Sequence, residues 1–108
     1  MSASALSQED VFRAVADPTR RALLDLLSEA ERSVSELVGR FDISQPAISQ
    51  HLSVLVSAGL AQVRRSGRRR LYSLNARPLR EVVDWASHYE QFWNEGLDNL
   101  GDYLERTK

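Results

Sequence analysis

Two groups of side chains in this sequence have types and spacings suited to chemistry, and in both cases the chemistry is recognition, not bond making. The first lies between Gln45 and Ala58. Wound as a helix at about 100° per residue, this segment puts Ile48, Leu52 and Leu55 on one face and Gln45, Pro46, Ser49, Gln50 and Ser53 on the other. Short uncharged amides and hydroxyls make poor surface ion pairs. They do fit the major groove of a duplex, about 12 Å wide, where Gln can bond adenine in a bidentate way and Ser can donate or accept. Ser44, just ahead of the helix, can offer a phosphate its hydroxyl and the free N–H groups of the first turn. Ala47 and His51 flank the same face, and His51 is a further candidate for a phosphate or a base. The second group is Arg64, Arg65, Arg68, Arg69 and Arg70, set around Ser66-Gly67. Guanidinium groups on a protruding loop suit phosphates and a narrow minor groove. Arg70 alternates with Tyr72 and Leu74, which leaves a structural role open for it.

The charge distribution supports the same chemistry. The net charge is only −1, but residues 43–80 hold seven arginines and no carboxylate. Residues 1–42 hold eight acids against five arginines, and residues 81–108 seven acids against two bases. Solvated surfaces usually mix their signs, because a single-sign field repels itself, so an acid-free stretch of this length points to an anionic partner.

Other chemistries lack their residues. With no Cys there is no disulfide, thiolate metal ligand or thiol nucleophile. The two histidines, His51 and His88, fall on different predicted helices, and no nucleophile–base pairing or phosphate-cradling Gly loop is present, so no enzyme is expected. No apolar run approaches the roughly 20 residues of a membrane span, and Met1 to Ser7 lacks a basic, apolar leader. The expectation is a cytoplasmic protein without a membrane partner.

The elements that must position these groups follow from periodicity and caps. A chain of 108 residues fits one domain, 1–108, whose lone core would benefit from a partner chain. Val11, Phe12 and Val15 predict a first helix over about 8–16. Asp17-Pro18 predicts a helix start, with Ala22, Leu23, Leu26 and Leu27 buried as far as Ser28. Ser33-Val34-Ser35-Glu36 has the form of a capping box opening a short helix to Phe41, with Leu37 and Phe41 inward. Ser44 caps the next helix and Gly59 closes it, which makes 34–58 a helix-turn-helix. Leu60–Arg65 and Arg69–Leu74 read as two strands joined at Ser66-Gly67, a wing over 60–74. A last helix over about 78–104 carries Leu79, Val82, Val83, Ala86, Tyr89, Trp93, Leu97, Leu100 and Leu104. At 1.5 Å per residue it would be about 39 Å long, more than a small body can cover. Its stripe with Trp85 and Phe92 predicts a two-fold dimer interface shared with the first helix, made of Val11, Phe12, Val82, Trp85, Tyr89, Phe92, Trp93, Leu97 and Leu100. The order α-α-α-α-β-β-α is that of a mainly α winged helix-turn-helix. Two reading helices about one DNA turn apart predict double-stranded DNA with an inverted repeat as partner.

Over its whole length the sequence resembles the ArsR family of bacterial winged-helix repressors. The resemblance rests on three segments in order, Ala16-Asp17-Pro18-Thr19-Arg20-Arg21-Ala22-Leu23-Leu24, Ile43 to Leu52, and Gly67 to Leu74. It implies a homodimer joined through its first and last helices. It also implies operator binding through the helix after Ser44, with Gln45, Ser49, Gln50 and His51 at matching positions, and release on a signal. Many members release DNA on binding metal, and here the chain departs from them. The family's thiolate position near Ser33 to Phe41 holds no ligand. On the last helix Asp84 is followed two residues later by Ala86, with His88 at the fourth position and Asn99 and Asp102 beyond. Asp84 and His88 share a helical face as a zinc pair could, yet such a lone pair is more often a surface hydrogen bond. The chain more closely resembles the branch without metal sites, so neither metal nor cofactor is expected. A metal- or ligand-responsive repressor and a protein-interaction module remain the alternatives.

Overall fold

The computed structural model describes residues 10–93 of the chain. Helix caps set most of its boundaries. Residues 10–15 form the helix α1, with Val11 and Ala14 buried. Asp17, in extended conformation, caps α2 (Pro18–Glu29) by accepting the Arg20 N–H at 3.0 Å. Pro18 loses nothing in that first turn, where its missing N–H would have had no partner. Leu23, Leu24 and Leu27 turn inward, whereas Ala22 and Leu26 are only half-buried.

The capping box at Ser33 and Glu36 forms, and it opens α3 (Val34–Val38). This helix is shorter than expected. Gly39 occupies its C-cap, and the chain leaves through two tight turns, Arg40 N–H to Leu37 O and Phe41 N–H to Val38 O, so Phe41 is half-buried beyond the helix. The recognition segment forms α4 (Gln45–Ser57), with the Ser44 hydroxyl accepting the Ala47 N–H at 3.3 Å. Gly59 ends it at φ +76°, with Leu60 N–H reaching Leu55 O at 2.9 Å and Gly59 N–H reaching Val56 O at 3.0 Å. That pair of bonds is a Schellman motif, and its usual apolar contact is made by Leu55 and Leu60, both fully buried.

A strand absent from the expected order precedes α3. Arg32–Ser33 forms β1 and pairs antiparallel with β3 (Arg69–Leu74), which also pairs with β2 (Ala61–Ser66), so the sheet runs β1-β3-β2. Two residues of strand carry no periodicity, and their pairing across nearly forty residues of chain has no local signal. The hairpin turn is Gly67-Arg68 rather than Ser66-Gly67, because Ser66 still pairs with Arg69. Gly67 sits at φ +64° as the first central residue, the position that a II′ turn reserves for glycine.

The last helix also departs from expectation. A 3-10 turn, Arg77–Leu79, leads into α5 (Arg80–Ser87), and the α-helix then breaks at His88 and Tyr89 before helical structure resumes over residues 90–93. The break has a local cause. Ser87 Oγ donates to Asp84 O at 2.6 Å, His88 Nδ1 lies 3.0 Å from Trp85 O, and the backbone bonds of His88 and Tyr89 contract to a three-residue span. Side chains bonding carbonyls one turn back compete with the α ladder in this way. Leu97, Asn99, Leu100, Asp102 and Leu104 lie outside the described residues. The core joins Val11, Leu23, Leu37, Ile48, Leu52, Leu55 and Leu60, all fully buried, with Tyr72 closing it from the sheet.

Asp17 makes one boundary pH-dependent. The Arg20 N–H bond, opposed by burial and aided by the Arg20 charge, lowers its pKa below the ordinary value of 3.8. A depressed carboxylate contributes stability that is complete above the unfolded pKa and is lost as pH falls through the folded one. Asp17→Asn keeps a capping oxygen but cannot titrate. The melting-temperature lead of wild type over this variant should hold from about pH 7 to pH 5 and shrink below about pH 4. A lead unchanged at pH 3 would show that the charge contributes nothing.

Candidate nucleic-acid interface

Gln45, Pro46, Ser49, Gln50 and Ser53 are all exposed on α4, while Ile48, Leu52 and Leu55 beneath them have no exposure. The expected two-faced helix is present. Ala47 is half-buried and gives its N–H to the Ser44 oxygen, Pro46 has no N–H, and Ile48 N–H bonds Ser44 O, so the first turn retains the Ser44 hydroxyl hydrogen and the Gln45 N–H. His51 does not stand free beside this face. It is half-buried, with Nδ1 3.2 Å from Arg20 Nη1 and 3.9 Å from Asp17 Oδ2.

A groove of about 430 Å³ separates α4 from the hairpin. Gln45, Ser49 and Ser53 line one wall, and Val63, Arg70 and Tyr72 the other. Strand alternation and register then sort the arginines. Val63 pairs with Tyr72 and Arg65 with Arg70, so Arg65 and Arg70 belong to the face turned to α4. Arg64 pairs with Leu71 and Ser66 with Arg69, which puts Arg64 and Arg69 on the opposite face.

The carboxylates follow the same division. On the back face Arg64 donates from Nε and Nη2 to the two Glu31 oxygens at 2.8 and 2.7 Å, and Arg69 Nη2 donates to Glu36 Oε1 at 2.5 Å. Arg64 lowers the Glu31 pKa by this hydrogen bond, and Glu31 raises that of Arg64. The Glu36 pKa is lowered chiefly by its bonds from Ser33 in the capping box, with Arg69 adding to the effect. Arg65 and Arg70 on the front face, and Arg68 in the turn, have no carboxylate partner among the described residues. Like charges directly opposite across two strands are destabilising, and an anion set between Arg65 and Arg70 would remove that repulsion.

Sequence reasoning missed Glu31, Glu36 and Arg20, because each acts on a residue more than thirty positions away. A separate aromatic surface runs from α1 along α5. Phe12 meets Trp85 edge-on at 5.7 Å, Trp85 meets Tyr89 at 5.7 Å, and Tyr89 meets Phe92 at 6.5 Å. Trp85 is 54% exposed and Phe92 68%, with Tyr89 and Trp93 close to half. Val11, expected on this surface, packs instead in the core, and Val82 is half-buried against it. Asp84 and His88 gather no third donor; among the described residues no three His, Cys, Asp or Glu side chains could hold a metal ion together.

Known proteins share the fold of this chain. A family model described as bacterial regulatory protein, arsR family, matches residues 17–63, from the cap of α2 into β2. The chain is 37% identical over 91 residues to the transcriptional repressor SdpR of Bacillus subtilis, covering 84% of this chain and 98% of that one. The chain belongs to the ArsR family of bacterial regulatory proteins. A solved ArsR family transcriptional regulator superposes with a TM-score of 0.74 at 32% identity, over 87% of this chain and 97% of that one. A homodimeric winged helix-turn-helix DNA-binding domain of Mycobacterium bovis, Mb0332, superposes with a TM-score of 0.65 at 28% identity, over 85% and 88%. The ArsR-family chain is thus a winged helix-turn-helix DNA-binding transcriptional regulator and not an enzyme. No helix among its described residues is long and apolar enough to cross a membrane.

The back-face ion pairs generate a prediction. Glu31→Gln releases Arg64 without disturbing the capping box of α3. Its affinity for random-sequence DNA should rise about two- to fivefold, and the slope of log affinity against log salt should steepen by up to about one. Fluorescence anisotropy across a salt series reads both quantities. An unchanged slope would place Arg64 out of reach of any phosphate.

Proposed function

We propose that this ArsR-family chain is a homodimeric repressor of an inverted-repeat operator, works in the cytoplasm, and needs no metal ion to bind or release DNA. The observation that carries the reading is the groove between α4 and the hairpin. On one wall it presents uncharged base-reading groups, and beside them an Arg65–Arg70 pair that lacks carboxylates. Gln45, Ser49, Gln50 and Ser53 read base edges in the major groove. The Ser44 hydroxyl and the Gln45 N–H hold the phosphate at the helix start. Arg65, Arg68 and Arg70 supply affinity through phosphates or the adjoining minor groove, and sequence choice stays with the helix.

Dimerisation through the Phe12–Trp85–Tyr89–Phe92 surface is supported by its exposure and by the homodimeric relative from Mycobacterium bovis. Two-fold symmetry then spaces the half-sites about 10 base pairs apart. Metal independence is argued from the sparse donors, since among the described residues no three His, Cys, Asp or Glu side chains gather and the chain has no Cys.

Selection of binding sites from a random duplex pool, followed by titration with chelator and with added Zn²⁺, tests the reading. An inverted repeat bound equally tightly under both conditions is the expected result, and release by Zn²⁺ would overturn metal independence. Gln45→Ala and Ser49→Ala should each cost about five- to a hundredfold on the selected site while leaving scrambled duplex nearly unaffected. Trp85→Ala should weaken the dimer at least tenfold by sedimentation equilibrium, and an unaltered dimer would move the interface elsewhere.

A further inference from the structure

One side chain outside the DNA-facing surface ties three helices together. Arg20, half-buried on α2, donates from Nε to Ala14 O at 2.8 Å and from Nη2 to Arg13 O at 2.9 Å. Both carbonyls belong to the last turn of α1, where a helix leaves its acceptors unsatisfied and its dipole favours a cation. The remaining arm, Nη1, lies 3.2 Å from His51 Nδ1 on α4. An arginine only donates, so Nδ1 is the acceptor and the ring hydrogen resides on Nε2. Asp17 closes the cluster. Its carboxylate accepts the Arg20 backbone N–H at 3.0 Å and stands 3.9 Å from the same Nδ1. The planar guanidinium thus spends one edge on α1 and the other on the reading helix.

The position of the cluster gives it consequence. His51 follows Gln50 and precedes Leu52, so a shift of its ring displaces the exposed face that holds Ser49 and Gln50. Next to Arg13 in the same helix stands Phe12, whose ring rests edge-on against Trp85. A single short helix is thereby shared between the aromatic surface and the base-reading helix.

We propose that Arg20 is a positioning residue for sequence reading, holding α4 in register with α1 through its bond to His51. The proposal rests on the reading of α4 as the base-contacting helix. Arg20 need not touch DNA. It narrows the placements of α4, and sequence-specific bonds depend on placement far more than phosphate attraction does.

The test uses the full chain, a duplex selected from a random pool by the wild type, and a scrambled duplex of equal length. Arg20→Lys keeps the charge but loses the fork that reaches three acceptors. It should bind the selected duplex about tenfold more weakly and the scrambled one within about twofold of wild type, with the salt slope unchanged. His51→Leu should match it. The double variant should lose no more than either alone, the signature of a shared interaction. His51→Asn, which keeps an acceptor at the δ position, should recover most of the loss. Equal losses on both duplexes, or losses that add in the double variant, would overturn the proposal. Should Arg20→Lys fail to fold, His51→Leu against His51→Asn still decides, because a residue serving stability alone would shift melting without shifting the ratio of the two affinities. If the wild type selects no preferred duplex, it is the reading of α4 that fails, not the clasp.

Discussion

The burial of Ile48, Leu52 and Leu55 on one side of α4 is the constraint from which the exposed chemistry of that helix follows. Each such side chain contributes roughly 1.5–3 kcal/mol when removed from water, so turning the helix about its axis would forfeit several kcal/mol. The Schellman bonds at Leu55 and Leu60 fix where the helix stops, and the Ser44 cap fixes where it starts. Rotation and extent being settled by the core and the caps, Gln45, Ser49, Gln50 and Ser53 carry no structural duty and are free to be chosen for what they touch.

The hairpin solves a different problem. Four arginines on two short strands and a fifth in the turn repel one another, and a period of two leaves only two faces for the four. Glu31 and Glu36 neutralise the back face, but exposed ion pairs of this kind are individually weak. Their greater effect is sorting. They hold Arg64 and Arg69 away from the groove and tie the hairpin to α3, whose own first turn Glu36 caps. The uncompensated charge is therefore confined to Arg65, Arg68 and Arg70.

How much of this could be read from the sequence depended on the range of the interactions. The N-cap residues Asp17, Ser33 and Ser44, the capping box at Glu36 and the glycine stop at Gly59 act within one helical turn, and all stand where local pattern placed them. The polar face of α4 was legible for the same reason. What escaped was long-range pairing. β1 exists only because Arg32 and Ser33 meet Tyr72 and Leu71. The free or neutralised state of each arginine depends on carboxylates about thirty residues earlier. His51 looked like a groove residue because its partner, Arg20, lies 31 positions away. The break at His88 was local and could have been anticipated, since Ser and His side chains that bond a carbonyl one turn back weaken a helix, but an unbroken apolar stripe outweighed that signal.

The aromatic surface completes the physical argument. Trp85, Tyr89 and Phe92 pack in sequence and, through Phe12, against α1, yet half or more of each remains wet, as does about half of Trp93. Aromatic rings are among the largest sources of burial energy a small domain has, and a core built on seven fully buried aliphatic side chains leaves little margin at this size. Covering these rings with a second copy would recover that energy. On the proposed clasp, α1 is joined to the rings by Phe12 and to α4 by Arg20, so covering the aromatic face with a second copy would also restrain α4. With that interface, stability, assembly and sequence reading would form one linked equilibrium that depends on protomer concentration.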